Sequence, residues 1–450
     1  MPIPTASPSQ PWFQLHRRAA RVAALALLPL ALAACGGSDD DDEVADDTPV
    51  TQPTPEAPAP GDTRNQAYLK AAEGDILKVK IKELIPTQPS LGYDQIYYKL
   101  GRWQGDFDRP TWTADPDSQL DYINDTVGKK FGDYCEDTGQ HDFGGFATIA
   151  EARAATLADL SSFQCDSEPG ADPDDKAVMK TVVIGYDGNL YLTDGHHSFS
   201  ALREIFDGGP ELDVYVRVSA NYSDIATKEA FWQKMVDQKQ AWLVDGDNNP
   251  ITVDQLPTRL GMANDTEPGG MSEDKYRSLV YFTRDIAYKQ GDLPEFAEFL
   301  WGDWIRRQQQ VMGTQIRVLP YYALSSTTTA GLTDVLAKST IEESATTPGT
   351  YEAVAGDSNI SYSAAVRDVT LQMMKLSGTD VVYGDYTAAS LGHITLGADA
   401  DETDDALTEL DELSRGDVKN NGESRKAGKL WYSAHYRTCG KPAAGTCWGY

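Results

Sequence analysis

The stretch KTVVIGYDGNLYLTDGHH, residues 180–197, decides the fold class. Lys180-Thr181-Val182-Val183-Ile184-Gly185 reads as a buried strand, and Asp187-Gly188 as a hairpin turn. Residues 189–193 form the return strand, and Asp194-Gly195-His196-His197 turns into a helix carrying Phe199, Leu202, Ile205 and Phe206 at helical spacing. A further strand follows at residues 214–218. Strands and helices mixed in this way predict an α/β (α+β) core.

The DGHH segment is also where chemistry is expected. Gly195 to Ser198 sit at a predicted helix N-terminus, where unpaired N–H groups and the helix dipole favour a phosphate or carboxylate. Asp194 is placed to act as the N-cap. His196 and His197 can hold a metal, donate to a phosphate or move protons near neutral pH. The blander alternative is a capping Asp194 with one histidine buried and one solvated. Asp194 and His196 are the candidate ligands for a divalent metal, with His141 and Asp142 as further donors. Adjacent histidines point in different directions, so one ligand or acid and one structural residue are expected, and His141-Asp142 reads better as a loop turn.

Working outward, residues 66–74 predict a short helix and 75–81 a strand that Pro86-Thr87-Gln88-Pro89 stops. A helix is expected over 93–103, irregular chain over 105–130 and an alanine-rich helix over 148–163. Beyond residue 222 the chain turns helical, at 228–243, 273–289, 294–312, 363–375 and 406–413. Asp245-Gly246-Asp247-Asn248-Asn249-Pro250 starts like a calcium loop. Pro250 and Leu256 stand where such a loop needs Gly and Glu, so it reads as a turn. Phe296, Phe299, Leu300, Trp301 and Trp304 recur at helical spacing and predict core packing, with a carbohydrate-binding stripe as the alternative.

The amino terminus sets the compartment. Arg17, Arg18 and Arg21 precede an apolar run over 22–34 that is shorter than the ~20 residues a spanning helix needs. It ends in Leu32-Ala33-Ala34-Cys35, the form of a lipobox. Residues 1–34 therefore predict a lipoprotein signal peptide. Cys35 is the lipidated residue, and 35–65 an acidic, proline-rich disordered tether. An ordinary signal peptide leaving Cys35 as a stray thiol is the alternative. The expectation is an exported protein, anchored to membrane through the lipid on Cys35. Gly36 points to the periplasmic side of the outer membrane.

A formal net charge of −30 disfavours broad binding to nucleic acid. Setting Cys35 aside leaves Cys135, Cys165, Cys439 and Cys447, an even set that predicts two disulfides in an exported chain. Three connectivities are possible, and proximity favours Cys135–Cys165 and Cys439–Cys447.

The run Gly188-x-Leu190-Tyr191-Leu192-Thr193-Asp194-Gly195-His196-His197 resembles the ParB/sulfiredoxin superfamily, most closely its ParB-like nuclease branch. Leu84-Ile85-Pro86-Thr87-Gln88-Pro89 with Gly92-Tyr93 resembles that branch's opening strand and turn. Tyr276-Arg277-Ser278-Leu279 and the segment from Phe296 to Arg306 resemble its helical extension. The resemblance implies a ParB/sulfiredoxin-like core over 66–220, a helical extension over 221–312 and a further region of unknown role over 313–450. It also implies a phosphate-contacting loop of Asp194, Gly195, His196 and His197, with Gln88 facing it. Relatives carry Arg after the His-His pair, whereas this chain has Ser198; Arg203 on the same helix is the candidate substitute. The sulfiredoxin cysteine is missing from the loop, and an exported protein meets no regular supply of ATP or CTP.

Two functions follow as expectations. One is metal-assisted phosphodiester hydrolysis at the DGHH loop, catalysed by Asp194, His196 and His197, with Gly195, Ser198, Gln88 and Arg203 contacting phosphate. The other is a non-catalytic lipoprotein that uses the same loop to bind a small anionic ligand bearing phosphate or carboxylate.

Overall fold

Period-two burial builds the two longest strands. In β1 (Ile76–Lys80) Leu77 and Val79 are buried between half-exposed neighbours, and β6 (Asp213–Asn221) repeats the pattern with Val214, Val216 and Val218. The computed structural model describes residues 62–104, 116–291, 293–294, 296–312, 336–415 and 428–439. Five strands form one sheet in the order β1-β6-β4-β5-β2, with β2 at Leu84–Pro86, β4 at Thr181–Ile184 and β5 at Leu190–Leu192. The β1/β6 and β4/β5 pairs are antiparallel, and β6/β4 and β5/β2 parallel. Val182 lies opposite Leu192, so β4 and β5 form the hairpin the sequence led us to expect, with Asp187-Gly188 in its turn. A short parallel pair, β3 (Ser90–Leu91) with β7 (Ser272–Glu273), ties the turn after β2 to the later chain.

Both faces of β4 are covered, which is why it is apolar without alternation. On one face Val182 and Ile184 share a core with α1 (Tyr93–Arg102), which follows β3, through Ile96 and Leu100. Helices α2 (Pro116–Ile123) and α3 (Lys129–Asp137) add Ile123, Phe131 and Tyr134 to that core. Helices α4 (Ile149–Ala154) and α5 (Pro173–Val178) precede β4, and α6 (His196–Glu204) returns Phe199 and Leu202 to the same core. On the other face Val183 and Tyr191 meet Phe231, Trp232 and Met235 of α7 (Lys228–Asp237). Each large side chain buried in this way contributes about 1.5–3 kcal/mol.

A second core is helical. Leu279 and Phe282 of α8 (Lys275–Phe282) and Trp301 and Ile305 of α9 (Ala297–Met312) pack with Tyr362, Val366, Leu410 and Leu430 from the helices Tyr362–Met373, Ala400–Arg415 and Lys429–Thr438. The aromatic spacing of α9 is thus core packing, and Trp301 Nε1 donates to the Leu391 carbonyl at 3.0 Å. The last of these helices is pinned to α1, with Arg437 Nη2 2.6 Å from Asp94 Oδ1.

Several sequence expectations are corrected. Residues 66–74 form turns, not a helix; the Asn65 amide bonds the Asp187 carbonyl and Asp75 accepts from Ala72 N–H. Over 116–137 the chain is helical rather than irregular. The helix expected over 148–163 stops at Ala154, because Thr156 and Leu157 turn their donors onto the buried Asp207 carboxylate. Those expected over 228–243 and 273–289 end early, with Lys239 and Asp285 at positive φ. Residues 245–250 are the expected turn. Cys135 and Cys165 form a disulfide. Cys439 is also disulfide-bonded, while Cys447, its expected partner, lies outside the described residues, as do the signal segment and Cys35. Among the described residues no helix is long and apolar enough to cross a membrane.

Candidate functional site

The DGHH loop opens α6, but its cap is Gly195, not Asp194. Gly195 takes φ 100°, a left-handed conformation that glycine adopts without steric cost, and a Cβ there would meet the Lys180 side chain at 2.7 Å. The Asp194 side chain makes no cap hydrogen bond; its half-exposed carboxylate lies 3.5 Å from Lys180 Nζ. The first-turn N–H groups of α6 have no intrahelical partner, and residues 195–198 line a cleft of about 610 Å³.

The two histidines fasten this loop to the segment after β2. Thr87 N–H donates to His196 Nε2 at 3.1 Å, and Gly92 N–H donates to His197 Nε2 at 2.9 Å. Thr87 Oγ1 in turn donates to the Leu192 carbonyl at 2.7 Å, closing the turn onto β5. Gly92 is needed at its position because a Cβ would meet the Ser278 amide nitrogen of α8 at 2.8 Å. His196 is buried and His197 half-buried where it lines the cleft. Burial, with Arg277 adding to it, lowers His196 to about 3. Burial first and then Arg277 also hold His197 well below its ordinary value. Both rings are therefore neutral at pH 7, with Nε2 accepting and the ring proton on Nδ1.

This state does not fit a metal. An imidazole binds through a free nitrogen lone pair, and both Nε2 lone pairs are engaged by backbone N–H groups. For Asp194 and His196 to share a metal, as the sequence led us to expect, His196 would have to give up its bond from the Thr87 amide; no three-residue His/Cys/Asp/Glu cluster suited to a metal occurs among the described residues. The lone pairs that general base catalysis would use are engaged in the same way, and through them the two rings hold the loop against the segment after β2. His141 and Asp142 do not line the cleft: exposed His141 pairs with Asp175, and Asp142 accepts from the Phe143 amide.

The other expected residues divide. Gln88 and Ser198 line the cleft, and Gln88 Nε2 is held by the Ser90 carbonyl at 3.1 Å. Arg203 does not line it. Its Nε donates to the Leu260 carbonyl and its Nη2 pairs with Glu267, so it cannot replace the arginine missing at position 198.

Arginines from another helix stand in the cleft instead. Arg277 of α8 and Arg284 just beyond it share one carboxylate, that of Glu298 on α9, with Arg284 Nη2 2.6 Å from it. Burial opposes the ionisation of Glu298, but the two arginines outweigh it and hold the carboxyl well below its usual range. Lys99 and Arg102 of α1, Lys129 of α3 and Lys180 add to the lining. Against these six cations the cleft sets five carboxylates: Asp133, Glu136, Asp137, Asp194 and Glu298. Lys180 bridges two of them, at 3.3 Å from Asp137 and 3.5 Å from Asp194. The cleft is thus slightly cationic in a chain of net charge −30. Sequence reasoning quoted Arg277 within Tyr276-Arg277-Ser278-Leu279 without giving it a role. The signal was there, as a charged residue on a helix that buries Leu279, Val280 and Phe282, but not its destination.

The family model described as "Putative ParB-like nuclease" matches residues 77–307. Among solved structures, protein Atu1540 from Agrobacterium tumefaciens is similar at 18% identity, with a TM-score of 0.31 and coverage of 52% of this chain and 81% of that one. No curated protein matches the chain.

Proposed function

This chain belongs to the ParB-like nuclease family, and from that premise we propose that its cleft binds the phosphate of a phosphate ester or phosphodiester between the α6 N-terminus and the Arg277–Arg284 pair. The observation that carries the reading is the sharing of one carboxylate, Glu298, by two guanidinium groups beside that N-terminus. Guanidinium forks and helix-start N–H groups are the donors that phosphate accepts best. The neutral histidines hold the loop in place, and Lys180 adds charge at the lip. Titration calorimetry of the purified protein with inorganic phosphate and pyrophosphate tests this. Binding that weakens with added salt, and is lost in Arg284→Gln, is expected; no heat from either anion overturns the reading.

A second reading, phosphodiester hydrolysis, is favoured by the family's description and by the half-exposed carboxylate of Asp194 at the cleft lip. Asp194 would take a proton from a water whose oxygen bonds phosphorus as the ester P–O bond breaks; the leaving alkoxide takes a proton from solvent, and the arginines balance charge on the phosphorus oxygens. Turnover of a generic phosphodiester or of nucleic acid that disappears in Asp194→Asn supports it; equal rates in both proteins sink it. We place this activity outside the cytoplasm, on a protein tethered through Cys35. Metabolic labelling with a fatty acid, absent in Cys35→Ser, is the expected result.

A further inference from the structure

We propose that Lys130 and Asp207 condense into an isopeptide bond, a covalent staple between α3 and the chain just after α6. Lys130 Nζ lies 2.5 Å from Asp207 Oδ2, across 77 positions of chain, and both side chains are buried. The rings of Phe131 and Phe206 flank the nitrogen, their centres at 4.6 and 5.1 Å. The two carboxylate oxygens are treated unequally. Oδ2 also accepts from the Leu157 amide at 3.0 Å and from Thr156 Oγ1 at 3.1 Å. Among the described residues Oδ1 is buried with no hydrogen-bond partner.

An ion pair in such surroundings has given up its water, and its charges are costly to keep. Burial lowers Lys130 from the ordinary lysine value, against the pull of Asp207. Transfer of one proton from ammonium to carboxylate leaves a neutral amine in contact with a neutral carboxyl. The nitrogen lone pair then attacks Asp207 Cγ, an Nζ–Cγ bond forms, and charge gathers on Oδ2, where Leu157 N–H and Thr156 Oγ1 donate to it. Oδ1 holds one proton, takes a second from Nζ, and leaves as water when its bond to Cγ breaks. The fold holds the two groups together, so the step needs no co-reactant. Helix α3 already carries Cys135 of the disulfide to Cys165, and it lines the cleft through Lys129 and Asp133. A second covalent tie fixes that wall to the helix that opens with the DGHH loop. The inference rests on no reading of what the cleft binds.

The test is peptide mass spectrometry of the full chain, incubated while folded and then denatured, with its cysteines reduced and alkylated. Trypsin should release a branched peptide that joins the segment beginning at Lys130 to the segment holding Asp207, lighter by one water than the sum of its two arms. Lys130→Arg and Asp207→Ala should each yield no branched peptide. The branch is the decisive readout, because Asp207 precedes Gly208 and cyclisation of that pair also expels water. A lost water that maps to the Asp207 peptide alone, or that persists in Lys130→Arg, overturns the staple. So does recovery of wild-type Lys130 and Asp207 only in linear peptides of full mass, which leaves an ordinary buried ion pair.

Discussion

Two pairs of residues line the same cleft and are held in opposite ways. His196 and His197 are adjacent in sequence, neutral, and tied by their Nε2 atoms to backbone N–H groups. Arg277 and Arg284 come from a distant helix and its end, carry permanent charge, and share a single carboxylate. The conspicuous motif is tied into the fold by its rings, while the cleft's arginine charge arrives from elsewhere in the chain. A motif can thus mark a site while its imidazole lone pairs are spent on holding a loop in place, and while they are so engaged they resist a metal or a proton.

The sharpest way to break this contrast is to remove the shared carboxylate. Glu298→Leu leaves two largely buried guanidinium groups without it, and should cost about 3–5 kcal/mol in urea unfolding. A loss under about 1 kcal/mol would mean that the arginines relax into solvent and are not held as described. Next in size are the histidines. His196→Ala or His197→Ala orphans a backbone N–H and should cost about 1–3 kcal/mol each.

Their titration provides a separate check. Unfolded histidine takes its proton near 6.5, whereas folded His196 resists until about 3 and His197 is also shifted well below 6.5. The unfolded state therefore binds more protons in that window. Stability conferred by the neutral rings is present above pH 6.5 and is lost as pH falls below it, for His196 until about pH 3, by up to about 1.4 kcal/mol per pH unit for each histidine while it is neutral only in the folded state. A His196→Gln, His197→Gln variant should flatten that slope; an unchanged slope would assign it to other groups. A chelator should leave phosphate binding untouched, and a loss of binding in its presence would return the histidines to a metal site. The smallest effect is at the motif's departure from its relatives. Ser198→Arg, adding a cation to the cleft, should tighten phosphate binding by about 0.2–1 kcal/mol in the same titration.

How much could be read in advance follows the range of the interactions. The hairpin 180–193 and the start of α6 were legible because apolar spacing and turn residues are local signals. The helix expected over 148–163 failed because Asp207, some fifty positions away, takes the donors of Thr156 and Leu157. Arg203 was chosen as a substitute for position 198 by sequence proximity, but lies outside the cleft, bound to Leu260 and Glu267. Arg277 was visible in the sequence without any sign of where it would point.

By itself, the sequence determined that strands and helices alternate around a DGHH loop, that an even set of cysteines is available to pair, and that the chain carries a strong negative charge, since composition, periodicity and turn chemistry are properties of neighbouring residues. Tertiary structure alone decided that the histidine rings are neutral and bonded to backbone N–H groups, and that arginines from α8 and its end line the cleft. Protonation state and ligand geometry depend on burial and on partners brought together across many residues of chain. No local pattern carries that information.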